Sequence, residues 1–192
     1  MKIDNRRDIL LLLLYSPGKS QEPNAPLVGR TRIVKMLFLF RKEAMAHFRK
    51  GTNITEENFY EFFPWTFGPF SAQIYDDLKF FELRNFLSTS NSSEDALPES
   101  AAEWEMWLSS SLPGIARNSY SEFQEEQFQL TPKGEKFVRE RLYSALSVPQ
   151  KKLLQVFRSR MESAPLRAIL SHVYEQYPEM TDKSEIRDQF IE

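Results

Sequence analysis

Side chains that could do acid–base, nucleophilic or metal chemistry are few in this sequence and are badly spaced for it. The 192 residues include no Cys and two His. His47 and His172 show no paired spacing, so a metal site would need mostly carboxylates. No Gly-rich phosphate loop or Gly-x-Ser-x-Gly motif is present. Asp76 and Asp77 are adjacent, and on a helix they would point about 100° apart. We therefore expect a protein that is not an enzyme and uses no cofactor or metal, although carboxylates that converge only on folding stay open.

Side chains suited to binding are more numerous, and the first set is basic. Arg30, Arg32 and Lys35 cluster at the start of a predicted helix, where cations oppose the helix dipole. Such a cluster needs an acceptor, and three are open: an internal carboxylate such as Glu61, an acidic protein partner, or a nucleic-acid phosphate.

The second set is aromatic and lies between Phe63 and Phe70. Two Pro and one Gly in this segment exclude a continuous helix and predict a rigid turn. The rings either pack in the core or form a platform for stacking nucleic-acid bases. We expect Trp65 or Phe67 to be the exposed ring.

The helix predicted after this turn bears most directly on DNA binding. Its polar side chains comprise one amide, three acids and two bases: Gln73, Asp76, Asp77, Glu82, Lys79 and Arg84. Because acids repel phosphates, this composition favours a protein partner. Basic residues at 41–42, 49–50 and 151–167 keep a DNA-binding face open, especially in a homodimer.

Charge is distributed unevenly around the net value of −2. Residues 88–126 contain eight acids and one base, whereas the remainder has 24 bases and 19 acids. The first part of this acidic insert, 88–100, is Ser-rich and acidic without periodicity, which predicts a loop or a disordered stretch. Farther on, Trp104, Trp107 and Leu108 recur at helical spacing, which predicts a short amphipathic helix whose tryptophans are available to a partner.

The elements that must position these side chains follow from apolar spacing and caps. In the first half, helices are predicted from the cap Asp4 to Tyr15, from Gly29 to Gly51, and from the cap Ser71 to about Leu87. The apolar run 9–14 is too short to span a bilayer, which needs about 20 residues. Together with the absence of Cys, it predicts a buried first helix in a cytoplasmic protein without a membrane partner.

The second half begins with an alternating strand at 126–130, which leads directly into a helix. That helix is capped by Thr131 and ends near Leu142. Three more are predicted: from a Ser147 capping box to Met161, from Pro165 to Pro178, and from a cap at Thr181 or Asp182 through Phe190.

This order of helices, turn and strands is typical of a winged helix-turn-helix. We therefore predict a mainly α (α+β) fold with a small β-wing that carries the acidic insert. The helix after Ser71 would take the recognition position. The winged-helix core would cover residues 1–145, and residues 146–192 would form a C-terminal helical extension packed on it.

Four segments of the chain also resemble a bacterial family. Gly29–Leu39, Phe63–Ser71, Leu130–Gly134 and His172–Thr181 are similar, in this order, to YwgA-like proteins and, more distantly, to the Panacea (SocA-like) antitoxin domain. The resemblance implies a regulator associated with toxin–antitoxin or phage-defence genes that binds a protein partner. The acidic insert with its two tryptophans departs from the family pattern.

The sequence therefore predicts a non-enzymatic winged-helix module that binds a protein, with a DNA-binding transcriptional regulator as the alternative. The candidate partner-binding residues are Arg30, Arg32, Lys35, Trp65, Phe67, Gln73, Asp76, Asp77, Lys79, Trp104 and Trp107.

Overall fold

The computed structural model describes residues 3–90 and 126–189, in which helices pack around two small antiparallel sheets. The chain is thus a mixed α+β protein. In chain order its elements are α1 (Arg6–Tyr15), β1 (Leu27–Val28), α2 (Arg30–Leu39), α3 (Met45–Phe48), β2 (Phe63–Trp65), β3 (Gly68–Phe70), α4 (Ala72–Leu83), β4 (Leu87–Ser90), β5 (Gln127–Leu130), α5 (Pro132–Phe137), α6 (Val148–Ser163) and α7 (Leu166–Gln176).

Helix α1 has no solvated face along its apolar run. Each residue from Ile9 to Leu14 is at most 2% exposed, which confirms the predicted buried helix. Its cap is Asn5, so the prediction of Asp4 was wrong. The Asn5 side chain accepts from two N–H groups of the first turn, and the carboxylate of Asp8 accepts from the Asn5 N–H. No helix in the described part of the chain is long and apolar enough to cross a membrane.

Helix α2 lines the centre of the core, where every residue from Ile33 to Leu39 is buried. A wider π-type turn, Phe40–Ala44, joins α2 to α3. Helix α3 ends at Phe48, whereas the sequence predicted an end at Gly51.

A two-stranded hairpin follows, in which β2 pairs with β3 through Phe63 opposite Phe70 and Trp65 opposite Gly68. The predicted rigid aromatic turn is therefore a β-hairpin. Ser71 lies at the N-cap of α4, as predicted, but its hydroxyl makes no capping hydrogen bond.

The other sheet has the strand order β1-β5-β4. The predicted alternation of β5 is confirmed, since Phe128 and Leu130 are buried and Gln127 and Gln129 are exposed. Two predictions beside it were wrong. Helix α4 ends at Leu83 because Asn85 adopts a left-handed φ of 56°. Residues 88–90 are strand rather than loop because they pair with β5, whereas 91–100 lie outside the described residues.

Two caps predicted in the second half of the chain, Thr131 and Ser147, are confirmed. The Thr131 hydroxyl accepts from the Gly134 N–H at the start of α5, and Ser147 with Gln150 forms the capping box of α6. A π-type turn, Val138–Leu142, extends α5 to its predicted end. The last predicted helix is instead a short 3₁₀ turn, Arg187–Gln189, and Phe190 lies outside the described residues.

Helix α6 is fixed to the end of α1 by a fully buried guanidinium. Arg158 donates to the carbonyls of Leu13, Leu14 and Ala25 and pairs with Glu162 at 2.8 Å. These bonds satisfy carbonyls at the C-terminal end of α1 that have no partner inside the helix.

Candidate partner-binding site

Two members of the basic cluster have acceptors inside the fold. Arg30 forms a bidentate salt bridge with Glu126, at 2.8 and 2.6 Å, and its guanidinium lies over the ring of Tyr75. Arg32 donates to the carbonyls of Met161 and Ala164 at the end of α6. The prediction of Glu61 as the internal acceptor was therefore wrong.

Lys35 is 3% exposed, and its amine lies between α2 and the hairpin. Nζ donates to the carbonyl oxygens of Phe67 at 2.6 Å and Pro69 at 2.9 Å. Burial lowers the pKa of the amine to about 7, because desolvation disfavours its charged form. No carboxylate lies within ion-pairing distance of Nζ among the described residues.

A small cavity adjoins this amine. It has a volume of about 20 Å³ and is lined by residues that include Thr31, Lys35, Trp65, Gly68 and Tyr75. The Tyr75 hydroxyl is buried and has no hydrogen-bond partner in the described part of the protein. Burial also raises the pKa of this phenol, so it stays protonated. We call this space the Lys35 cavity.

The hairpin beside the cavity is held from two directions. Lys35 binds its turn from α2, and the carbonyl of Thr66 accepts from the hydroxyl of Ser184 and the N–H of Glu185. Gly68 has a positive φ of 82°, and a Cβ there would lie 3.2 Å from the ring of Tyr174. The turn is thus fixed by contacts with distant parts of the chain.

The outer face of the hairpin carries three rings in mutual contact: Phe63, Trp65 and Phe70. Phe63 is 42% and Trp65 is 50% exposed, although both are large apolar side chains. Phe70 is half-buried behind them and also contacts Tyr75. We call these three residues the aromatic platform. Of the two rings predicted to be exposed, Trp65 is exposed and Phe67 is buried.

Helix α4 separates its two neighbouring carboxylates as expected. Asp76 is exposed, whereas Asp77 is fully buried, accepting from Arg6 at 2.9 Å, from Arg7 at 2.7 Å and from the hydroxyl of Tyr60 at 3.1 Å. The proposed partner-binding role of Asp77 was therefore wrong, because an internal network occupies this carboxylate. The bond to Asp77 raises the pKa of Arg6.

The remaining candidates on α4 are spread over its surface. Lys79 is exposed, and Gln73 is half-buried with its side-chain oxygen accepting from the N–H of Glu61. The structure therefore brings Lys35, Trp65 and Phe67 together but leaves Asp76 and Lys79 outside this site. Trp104 and Trp107 lie outside the described residues.

A second polar cluster joins the π-type turn after α2 to α7. His172 Nε2 lies 2.6 Å from Glu43 Oε1, and the other oxygen of Glu43 lies 3.5 Å from Arg160. The Tyr177 hydroxyl also donates to Glu43 Oε1, at 3.5 Å. These contacts join the π-type turn to α6 and α7. Over residues 3–90 and 126–189, no three His, Asp or Glu side chains are grouped so that they could hold a metal ion.

Sequence reasoning missed Phe63 and Tyr75. Phe63 could have been found, since residues two apart on a strand share a face and Phe63 and Trp65 have this spacing. The unpaired hydroxyl of Tyr75 had no such signal, because it depends on which groups surround it after folding. In comparisons with known proteins, no family model and no curated protein matches this chain.

Proposed function

We propose that this protein is a non-enzymatic winged-helix module that binds a protein partner through the aromatic platform. The order of α1, β1, α2, α4, β4 and β5 and the strand order β1-β5-β4 support a winged helix with β4 and β5 as its wing. The segments that resemble YwgA-like and Panacea proteins support a regulator of the toxin–antitoxin or phage-defence kind. Its setting would be the cytoplasm.

The observation that carries the proposal is the exposure of Phe63 and Trp65 on a fixed hairpin. Large aromatic side chains are concentrated at the centres of protein interfaces, where Trp is a frequent hot spot. Because the hairpin is already held by Lys35 and Ser184, ordering it costs little on binding. A rigid pair of exposed rings therefore fits a docking surface.

The test is co-purification of the tagged protein from its native host. We expect one partner to be retained by the wild-type protein and lost by the variant Phe63→Ser/Trp65→Ser. Loss of a hot-spot Trp alone costs about 2 kcal/mol, or roughly thirtyfold in affinity. The matched control is Val148→Ser/Val156→Ser, which removes two exposed apolar side chains elsewhere. A monomer without a retained partner, or equal retention by all three proteins, would contradict the proposal.

A DNA-binding regulator is the second candidate, and the burial of Asp77 favours it. One of the three acids on α4 is neutralised inside the fold, which leaves fewer carboxylates to repel phosphate. Three cationic side chains also lie over aromatic rings: Arg7 and Arg84 over Phe80, and Lys133 over Phe86. These could follow a nucleic-acid backbone.

A gel-shift salt series distinguishes this candidate. DNA bound by Arg84 and Lys133 should lose affinity steeply with salt, and Arg84→Gln/Lys133→Gln should reduce the slope by about two. Lys152→Gln, an exposed charge on α6, is the control. No binding at low salt eliminates the candidate.

A further inference from the structure

The Lys35 cavity holds hydrogen-bonding groups that the described residues leave unused. An ammonium has three N–H donors, and two of those on Lys35 bind the carbonyls of Phe67 and Pro69. The Tyr75 hydroxyl has no partner in this part of the chain. Buried polar groups are normally paired. Lys35 and Tyr75 line the same cavity, so an acceptor that enters it can pair with both side chains.

The charge of this acceptor follows from the absence of a counter-ion for Lys35 among the described residues. A buried cation without a counter-ion is costly, and the lowered pKa of the amine is one result of that cost. An entering anion would pair with the ammonium in a poorly solvated place, where charge-assisted hydrogen bonds are strong. The cavity therefore favours a negative acceptor over a neutral one.

The size of the cavity narrows the choice of anion. A volume of about 20 Å³ holds one water molecule or one group of similar size. A carboxylate can insert a single oxygen, whereas a phosphate presents more oxygens than one amine and one phenol can bind. Trp65 lines the same cavity and is half exposed, so it can cover an apolar group attached to that carboxylate.

We infer that the Lys35 cavity binds one carboxylate oxygen of an Asp or Glu side chain of the partner protein, while an apolar group beside that side chain packs on Trp65. This inference rests on the proposed function for the carrier of the carboxylate. It assigns Lys35 and Tyr75 to recognition of charge and the aromatic platform to recognition of apolar surface.

The experiment uses three small probes with the whole protein. Phenylacetate carries a carboxylate and a ring, phenylacetamide replaces the charge by an amide, and acetate lacks the ring. Binding is followed by the backbone amide resonances of Phe67 and Gly68 and the indole resonance of Trp65. We expect saturable shifts with phenylacetate and affinities at least about tenfold weaker for the other two probes, since each loses either the charge-assisted bond or the apolar contact.

Two variants assign the effect to the cavity. Lys35→Met should reduce phenylacetate affinity to that of phenylacetamide. Tyr75→Phe removes a hydroxyl that has no partner among the described residues, so the variant should fold normally. It is expected to weaken the binding of phenylacetate about fivefold. Tyr143→Phe is the matched control, because this half-buried ring contacts Tyr15 and Lys151 instead of the cavity. It should leave all three affinities unchanged.

The pH dependence gives an independent readout. Carboxylate binding requires a protonated Lys35, so phenylacetate affinity should fall up to tenfold per pH unit above about 7. Among the described residues, the amine contacts the carbonyls of Phe67 and Pro69, Tyr75 from α4 lines the same cavity, and the Tyr174 hydroxyl from α7 lies near Gly68. Burial raises the pKa of Tyr75 and raises that of Tyr174 to about 12, so neither phenol titrates in this range.

The inference is overturned if phenylacetate gives no saturable shift, if phenylacetamide binds equally well, or if Tyr75→Phe has no effect. Acetate binding as tightly as phenylacetate would also overturn it, since the cavity would then be a site for free small anions. None of these outcomes affects the retention of a partner by the aromatic platform, which the Phe63 and Trp65 substitutions test separately.

Discussion

Lys35 makes the free energy of unfolding depend on pH in a way that can be isolated. In the folded protein the pKa of this amine is about 7, against an ordinary value of 10.5. Below pH 7 Lys35 is protonated in both the folded and the unfolded chain, so the folded state bears the whole free-energy penalty of the buried charge. Between 7 and 10.5 the unfolded chain binds a proton that the folded protein has released, so stability rises with pH. Above 10.5 the penalty is gone.

The size of this effect follows from the change in pKa. A fall from 10.5 to about 7 corresponds to roughly 5 kcal/mol in total at about 1.4 kcal/mol per pH unit. About half of this should be recovered between pH 7.5 and 9.5. Lys35→Met keeps an unbranched stem and removes the titrating amine, and its lost hydrogen bonds to Phe67 and Pro69 contribute a nearly constant offset.

The assay is urea unfolding of wild type and Lys35→Met at several pH values. Other titrating groups cancel in the difference in unfolding free energy between the two proteins. This difference should rise by about 2 to 3 kcal/mol from pH 7.5 to 9.5 in favour of the wild type. Lys152→Met removes an exposed lysine, and its difference from wild type should stay constant. A constant difference for Lys35→Met as well would refute the reasoning, because the amine would then keep its ordinary pKa.

Three further substitutions test the fold by the same unfolding measurement. Gly68→Ala should lower the free energy of unfolding by about 1 kcal/mol more than Gly51→Ala. Both glycines have a φ of 82°, but an added Cβ has close neighbours at Gly68 and none at Gly51. Equal costs would mean that the hairpin moves to make room for the Cβ. Asp77→Asn should cost about 3 kcal/mol, because it leaves two arginines without their carboxylate. The exposed Asp76→Asn should cost less than about 0.5 kcal/mol. Similar costs for the two variants would mean that the Asp77 network does not stabilise the fold. Asn5→Ala should cost about 1 kcal/mol, because α1 loses its N-cap. An unchanged stability would mean that Asp4 caps the helix instead.

The parts of the fold that sequence predicted correctly depend on residues close together in the chain. The caps at Thr131 and Ser147 bind groups three residues away, and the alternation of β5 is visible in Gln127–Leu130 itself. Asn5 and Asp4 are equally good capping types, so sequence could not decide between them. Residues 88–90 have no strand pattern of their own and become a strand because β5 pairs with them.

The candidate site was only partly predictable for the same reason. Trp65 or Phe67 was expected at the surface, and the sequence could not decide between these two aromatic residues of the turn. Lys35 was expected to face an internal carboxylate, an acidic partner or a phosphate, yet its amine donates to carbonyls more than thirty residues along the chain. Asp77 looked like part of an acidic face, and its partners Arg6 and Arg7 lie about seventy residues earlier. Such contacts are consequences of the completed fold.

The register of β4 and β5 has a consequence for how this protein can vary. Ser90 and Gln127 are cross-strand partners, so the chain leaves the sheet and returns to it at directly opposite positions. Any stretch whose two ends lie about 5 Å apart can join these strands without shifting their register. Residues 91–125 can therefore be lengthened, shortened or exchanged without moving β4 or β5, whereas Glu126 is held by Arg30. A different segment, with a different binding specificity, can therefore be inserted between Ser90 and Gln127 while the aromatic platform stays unchanged.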